Sequence, residues 1–244
     1  MSEKLPPNRA IDEDARARAE TDWFAKLDAS ISTSLKQNPE SLGNTQGAVV
    51  APPVVLLEGS HPALLAPEVL MRHVTKTHGT GRGPGGQNRN KVQTAVLLTH
   101  GATGITARAS ERRSIAENFP VAMRRLRLNL AVLVRCPVPA GEARTAMWMQ
   151  RCSEQGKHAG LIRVSEHHED FPAMLATSLD VLWAGGALGG AIESKLDHTL
   201  DHKFAATRLV CSATQLVKLW ALHPPALVWV NGHRAAKGLR PLLV

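Results

Sequence analysis

The segment His78-Gly-Thr-Gly-Arg-Gly-Pro-Gly-Gly-Gln87 offers chemistry through its backbone more than its side chains. Five of its ten residues are glycine and one is proline, a composition that the interior of a helix or strand does not tolerate. Without Cβ atoms, Gly85 and Gly86 let the chain enter a crowded site and adopt conformations closed to other residues. No carboxylate or imidazole inside the loop can act as general base, so any catalytic surroundings must come largely from a partner. Arg82, Arg89 and Lys91 flank the tip and would meet phosphates. On residue types alone, the alternatives are a Gly-rich phosphate loop or the plain tip of a hairpin.

Other constellations are weaker. Asp197-His198 and Asp201-His202 recur at four-residue spacing, so both histidines can share a helix face and grip a metal. No third ligand accompanies them, and no metal or other cofactor is expected. Glu166-His-His-Glu-Asp170 reads as a solvated loop. The three cysteines, Cys136, Cys152 and Cys211, contain no C-x-x-C pair, which argues against a disulfide scaffold and a Cys-based zinc site.

The glycine-rich segment needs elements to present it. Before it, a short helix around His61 to Leu70 and a strand over Val69 to Thr77 are expected. After it, Val92 to Thr99 and Gly104 to Arg108 flank a turn at Gly101 and read as a hairpin. Asn118 is the expected cap of a helix with Pro120 in its first turn. Phe119, Met123, Leu126, Leu130 and Leu133 form its apolar stripe, with Arg124, Arg125 and Arg127 largely off it. Past Pro137-Val-Pro-Ala-Gly141 the chain reads as all-helical. The candidates are Arg144 to Ser153, Pro172 to Trp183, Ile192 to Leu209, Ser212 to Leu222 and Pro225 to Lys237. Residues 1–60 read as a largely disordered arm ending in a linker from Ser41 to Pro53, with one amphipathic helix suggested by Trp23, Phe24, Leu27, Ile31 and Leu35. The resulting expectation is an α+β domain over 62–136, a short antiparallel sheet with a packed arginine-rich helix, followed by a helical domain over 142–240.

The 244 residues carry a net charge of +8, and the excess is local. Residues 72–135 hold twelve Lys/Arg against two Asp/Glu, whereas residues 1–71 hold six against ten. So dense a basic block, interleaved with apolar residues, is the footprint of a polyanion partner. Aromatics are 4% of the chain with no Tyr, which disfavours base stacking and favours backbone contacts to structured nucleic acid. The longest apolar run, Val181 to Ile192, is too short to span a membrane; the start lacks the hydrophobic stretch of a secretory signal, and its acidic residues argue against a transit peptide. A cytoplasmic monomer without a membrane partner is expected.

Gly83-Pro-Gly-Gly-Gln-Asn-Arg-Asn-Lys-Val92 resembles the GGQ domain of class I peptide chain release factors and their ribosome-rescue relatives. Gly83, Gly85, Gly86, Gln87, Asn90, Thr94 and Ala95 fall on the family's G-x-G-G-Q-x-x-N-x-x-x-[ST]-A pattern. Thr99-His-Gly-Ala-Thr-Gly-Ile105 is similar to its T-H-x-x-T-G-I turn. Glu111-Arg-Arg-Ser-Ile-Ala-Glu-Asn118 is similar to its E-x-R-S-Q-x-x-N element. The chain departs from the pattern at Thr80-Gly81, where an Arg-Ser pair is usual, and at Arg89 and Ile115. The resemblance implies hydrolysis of the ester joining a nascent peptide to tRNA, in contact with large-subunit ribosomal RNA. It assigns Gly85, Gly86 and Gln87 to catalysis: the Gln87 backbone N–H meets the oxyanion and its side-chain amide positions the attacking water. Arg82, Arg89, Lys91, Arg112, Arg113, Arg124, Arg125 and Arg127 are the expected RNA contacts.

Nothing before the loop resembles a codon-reading domain, so the resemblance implies codon-independent release, as in ribosome rescue, though no Lys/Arg-rich tail follows. Ala205 to Leu219 is similar to a helix-turn-helix with Ser212 capping the second helix, but Val210 stands where the turn wants glycine. The rival reading is a non-catalytic ribosome- or nucleic-acid-binding protein.

Overall fold

The computed structural model describes residues 51–80, 92–139, 143–153, 156, 159–185 and 200–244. These residues form an α+β fold with a short antiparallel sheet and several helices. Strands β2 (Val74–Gly79), β3 (Ala95–His100) and β4 (Thr106–Ala109) lie in that order, both pairs antiparallel. The expected hairpin is β3–β4. Its turn closes through the Gly104 N–H on the His100 carbonyl at 2.8 Å, with Gly104 at φ +71, a value glycine adopts freely. β1 (Val55–Leu56) precedes the sheet and pairs in parallel with β5 (Val134–Arg135). The sequence offered no signal for this two-residue pairing.

The stretch expected as one strand from Val69 divides. Pro67 fits the first position of a short helix, α1 (Pro67–Leu70), a single 3-10 turn follows (Met71–His73), and extended chain begins only at Val74.

Period-two alternation then orients the sheet. Val96 and Leu98 of β3 and Ala107 and Ala109 of β4 are buried on one face, and Leu97 and Arg108 are exposed on the other. Helix α2 (Ile115–Leu133) packs its Ala122, Met123, Leu126 and Leu130 against the buried face. Its cap is Ser114, not Asn118. The Ser114 Oγ accepts the Glu117 N–H at 3.2 Å and donates to the Glu117 carboxylate at 2.9 Å. The helix therefore starts earlier than expected and Pro120 lies inside it, where its missing N–H costs one helical hydrogen bond.

Helices α3 (Ala146–Arg151), α4 (Phe171–Ala184), α5 (His202–Arg208), α6 (Ala213–Ala221) and α7 (Pro224–Ala236) follow. α4 is buried along nearly its whole length, with twelve of its fourteen residues in the core. A single apolar cluster runs from the sheet through α2 and α4 to Trp220 and Trp229, so the core continues across the segments on either side of Pro137. No helix among the described residues is long and apolar enough to cross a membrane. The amphipathic helix expected at Trp23 to Leu35, and residues 192–199 of the expected helix to Leu209, lie outside the described residues.

Candidate functional site

Gly85, Gly86, Gln87, Arg82, Arg89 and Lys91 lie outside the described residues, but both stems of their segment are described. The β2–β3 ladder ends on the pair Gly79–Ala95. The chain thus leaves and rejoins the sheet on one rung, a strand spacing apart. Just beyond that rung each stem is held by a side chain. Arg108 donates from Nη2 to the Thr80 carbonyl at 2.6 Å. Asn118 donates from Nδ2 to the Thr94 carbonyl at 2.8 Å.

Asn118 is fully buried and makes two more hydrogen bonds. Its Oδ1 accepts the Arg112 N–H at 2.9 Å and its Nδ2 donates to the Arg112 carbonyl at 3.0 Å. Satisfying this buried amide draws the 110–114 bend against the returning stem. Arg108 is held in turn. Arg125 donates from Nη1 to the Arg108 carbonyl at 2.8 Å and to the Glu111 carboxylate at 2.6 Å. Partial burial opposes ionisation of Glu111. The Arg125 hydrogen bond and the N–H groups of Glu111 and Ser110 outweigh it and hold the carboxyl below its usual range.

The arginines expected to face RNA divide into two groups. Arg112 and Arg113 are exposed beside the stems. Arg124 and Arg127 are half-buried and bonded to backbone carbonyls. Arg124 donates to the Glu166 carbonyl, while Arg127 donates to those of Glu169 at 3.0 Å and Ala63 at 3.1 Å. The helix face that sequence periodicity left polar is covered by the 165–170 loop, so its guanidinium groups meet backbone carbonyls. Arg125 stays exposed but spans Arg108 and Glu111. Sequence reasoning missed Arg108, and placed Asn118 as a cap. The signal that marks Asn118 is its position at the end of the Glu111–Asn118 motif, not helix propensity.

In the helical region, Ser212 does cap α6, accepting the Gln215 N–H at 3.2 Å, and Val210 takes φ +50 in the α5–α6 turn. The turn therefore has the backbone shape that a glycine would supply, with a β-branched residue in it. Of the two Asp-His pairs, Asp197 and His198 lie outside the described residues. Asp201 caps α5 through the Lys203 N–H at 2.9 Å. Burial, then the nearby Arg234, lowers the pKa of His202. Among the described residues no three His, Cys, Asp or Glu side chains group to hold a metal.

Residues 68–168 match the RF-1 domain family, a span that includes the sheet, both stems, α2 and the loop that receives Arg124. The sheet and both stems thus lie within an RF-1 domain match that covers 101 of the chain's 244 residues. The chain is similar to peptide chain release factor 1 of Kineococcus radiotolerans, 31% identical over 131 residues, covering 51% of this chain and 36% of that protein. It is similar to a chloroplastic peptide chain release factor of Arabidopsis thaliana, 49% identical over 51 residues, 21% of this chain and 11% of that one. An uncharacterized mitochondrial peptide chain release factor-like protein of Saccharomyces cerevisiae is 46% identical over 54 residues, 22% of this chain and 34% of the relative. The chain thus spans about a third or less of the length of these curated relatives. No solved structure matches at a significant level. The matched residues run past 136 to 168.

Proposed function

We propose that this chain hydrolyses the peptidyl-tRNA ester on the ribosome without reading a codon, as in the rescue of stalled ribosomes. The observation that carries the reading is the RF-1 domain match, within which Gly85-Gly86-Gln87 sits between two stems that leave one rung of the sheet. The backbone N–H of Gln87 meets the oxygen on which negative charge builds in the tetrahedral intermediate. One such donor in a water-poor site contributes about 3–4 kcal/mol. The Gln87 amide holds the attacking water, and the remaining surroundings are supplied by large-subunit ribosomal RNA and the peptidyl-tRNA. Arg112 and Arg113, exposed beside the stems, contact RNA phosphates together with Arg82, Arg89 and Lys91.

The test is peptide release from stalled ribosomes. Gln87→Ala keeps the backbone donor and retains part of the activity, whereas Gln87→Pro deletes the N–H and abolishes release. A proline variant that releases peptide at the rate of the unaltered chain overturns the mechanism. A chain that binds ribosomes and releases nothing is a contact module instead.

A further inference from the structure

We propose that Arg108 and Asn118 are positioning residues for peptide release, fixing the two stems from opposite faces of the sheet, with Arg125 and Glu111 bracing the first. The inference deepens the release reading and rests on it.

Among the described residues, the β2–β3 ladder supplies no backbone hydrogen bond to the Thr80 or Thr94 carbonyl beyond the Gly79–Ala95 pair. Each stem is instead held at its carbonyl by a side chain from elsewhere. Arg108 lies on β4, paired with Leu97 of β3, which in turn pairs with Thr77 of β2. Arg108 and Leu97 are exposed on the sheet face away from α2, so the guanidinium crosses β3 to reach the Thr80 carbonyl beyond β2. Asn118 comes from α2, under the opposite face, and takes the Thr94 carbonyl. Two anchors on opposite faces resist both twisting and sliding of the stems, which one anchor does not.

The bracing follows the same pattern. Arg125 holds the Arg108 carbonyl and the Glu111 carboxylate, and Asn118 holds both backbone polar groups of Arg112. The 108–112 segment thereby joins the two anchors. Release depends on a backbone donor placed to within a fraction of an ångström, and a misplacement of about 1 Å costs on the order of 100-fold in rate. Residues that set where the stems begin therefore act on catalysis without touching the ester.

The experiment uses the full chain carrying Arg108→Gln or Asn118→Asp. The first shortens the crossbar at an exposed site. The second is nearly isosteric and sets an oxygen against the Thr94 and Arg112 carbonyls. Amide exchange reports on the anchors directly: exchange at Thr77–Gly79 and Ala95–Leu97 quickens in the respective variants while α2 stays protected. Release kinetics reports on their use. At saturating protein the rate falls about 10- to 100-fold, with the half-saturating concentration within about 2-fold and its salt dependence unchanged. The thermal midpoint of the exposed Arg108→Gln variant stays with that of the unaltered chain, which separates positioning from a loss of folding. Unchanged exchange at both stems overturns the proposal, as does a release defect that excess protein restores, which would make Arg108 a binding contact. If the unaltered chain releases no peptide, the release reading fails by itself, and exchange alone still decides whether the anchors hold.

Discussion

Arg135 and Asp180 form a buried ion pair, Nη1 to Oδ1 at 3.0 Å, that ties the end of β5 to the middle of α4. The guanidinium also donates to the Ala131 and Val132 carbonyls and stacks on Trp229 of α7 at 4.4 Å. Burial pushes the Asp180 carboxyl up to about 7, against the opposing pull of Arg135 and the Cys136 N–H. The two groups are thus held by one another and by backbone, and the pair joins the RF-1-matching segment to two helices of the following region.

Removing one partner strands the other charge in the core. Asp180→Ala is expected to destabilise the chain by about 3–5 kcal/mol, read from urea unfolding followed by Trp fluorescence. A loss below about 1 kcal/mol would mean that the pair does not hold these elements together.

Stability should also fall in acid through His61. Its Nδ1 accepts the Ala63 N–H at 3.0 Å, so the ring's proton is on Nε2, which donates to the Val134 carbonyl at 3.1 Å. Burial, then the nearby Arg135 charge, lowers its pKa to about 3. The unfolded chain takes up this proton near pH 6.5 and the folded chain does not, so the contribution is intact above that pH. It is lost as pH falls from about 6.5 towards 3, at up to about 1.4 kcal/mol per unit. His61→Gln removes this part of the slope, and unfolding curves of the two chains between pH 4 and 7 should converge in acid.

The α5–α6 turn offers a pair of substitutions with opposite signs. Val210 at φ +50 is in a region costly for a β-branched residue, so Val210→Gly should stabilise by about 1 kcal/mol once the glycine's added unfolded-state entropy is set against the relief. Gly160, at φ +74, abuts the same turn, and a Cβ there would lie 2.9 Å from the Ser212 backbone nitrogen. Gly160→Ala should destabilise by about 2 kcal/mol. Thermal unfolding of the two variants checks both, and matching signs would show the turn to be built otherwise.

The arginines should separate by assay. Arg113→Gln is expected to leave stability nearly unchanged and to lower the salt dependence of ribosome binding by about one unit of log–log slope. Arg127→Gln, which strips the donors from the Ala63 and Glu169 carbonyls, should cost about 1–2 kcal/mol of stability with little change in that slope. A large slope change for Arg127 would show that it contacts RNA as well.

Much of the α+β arrangement was legible because local rules and tertiary packing agree there. The β3–β4 turn at Gly104 and the Ser212 cap of α6 satisfy their backbone within a few residues, and both appear where residue types place them. Asn118 shows where such reading stops. It has the composition of a helix cap, but Ser114 lies four residues earlier with Glu117 to complete it, and the buried Asn118 amide bonds to Thr94, 24 residues away.

The motif residues at 83–95, 99–105 and 111–118, by their resemblance to the GGQ domain, were enough to point to the RF-1 domain match. Only the tertiary structure decided which arginines of α2 hold backbone carbonyls. Periodicity shows that Arg124 and Arg127 avoid the apolar stripe of α2, but it does not show what covers the other face. The loop that covers it is brought there by the packing of α4, and its backbone carbonyls draw in donors that otherwise stay in water. The partners of these side chains are thus set by contacts more than forty residues away in sequence, where local pattern carries no information.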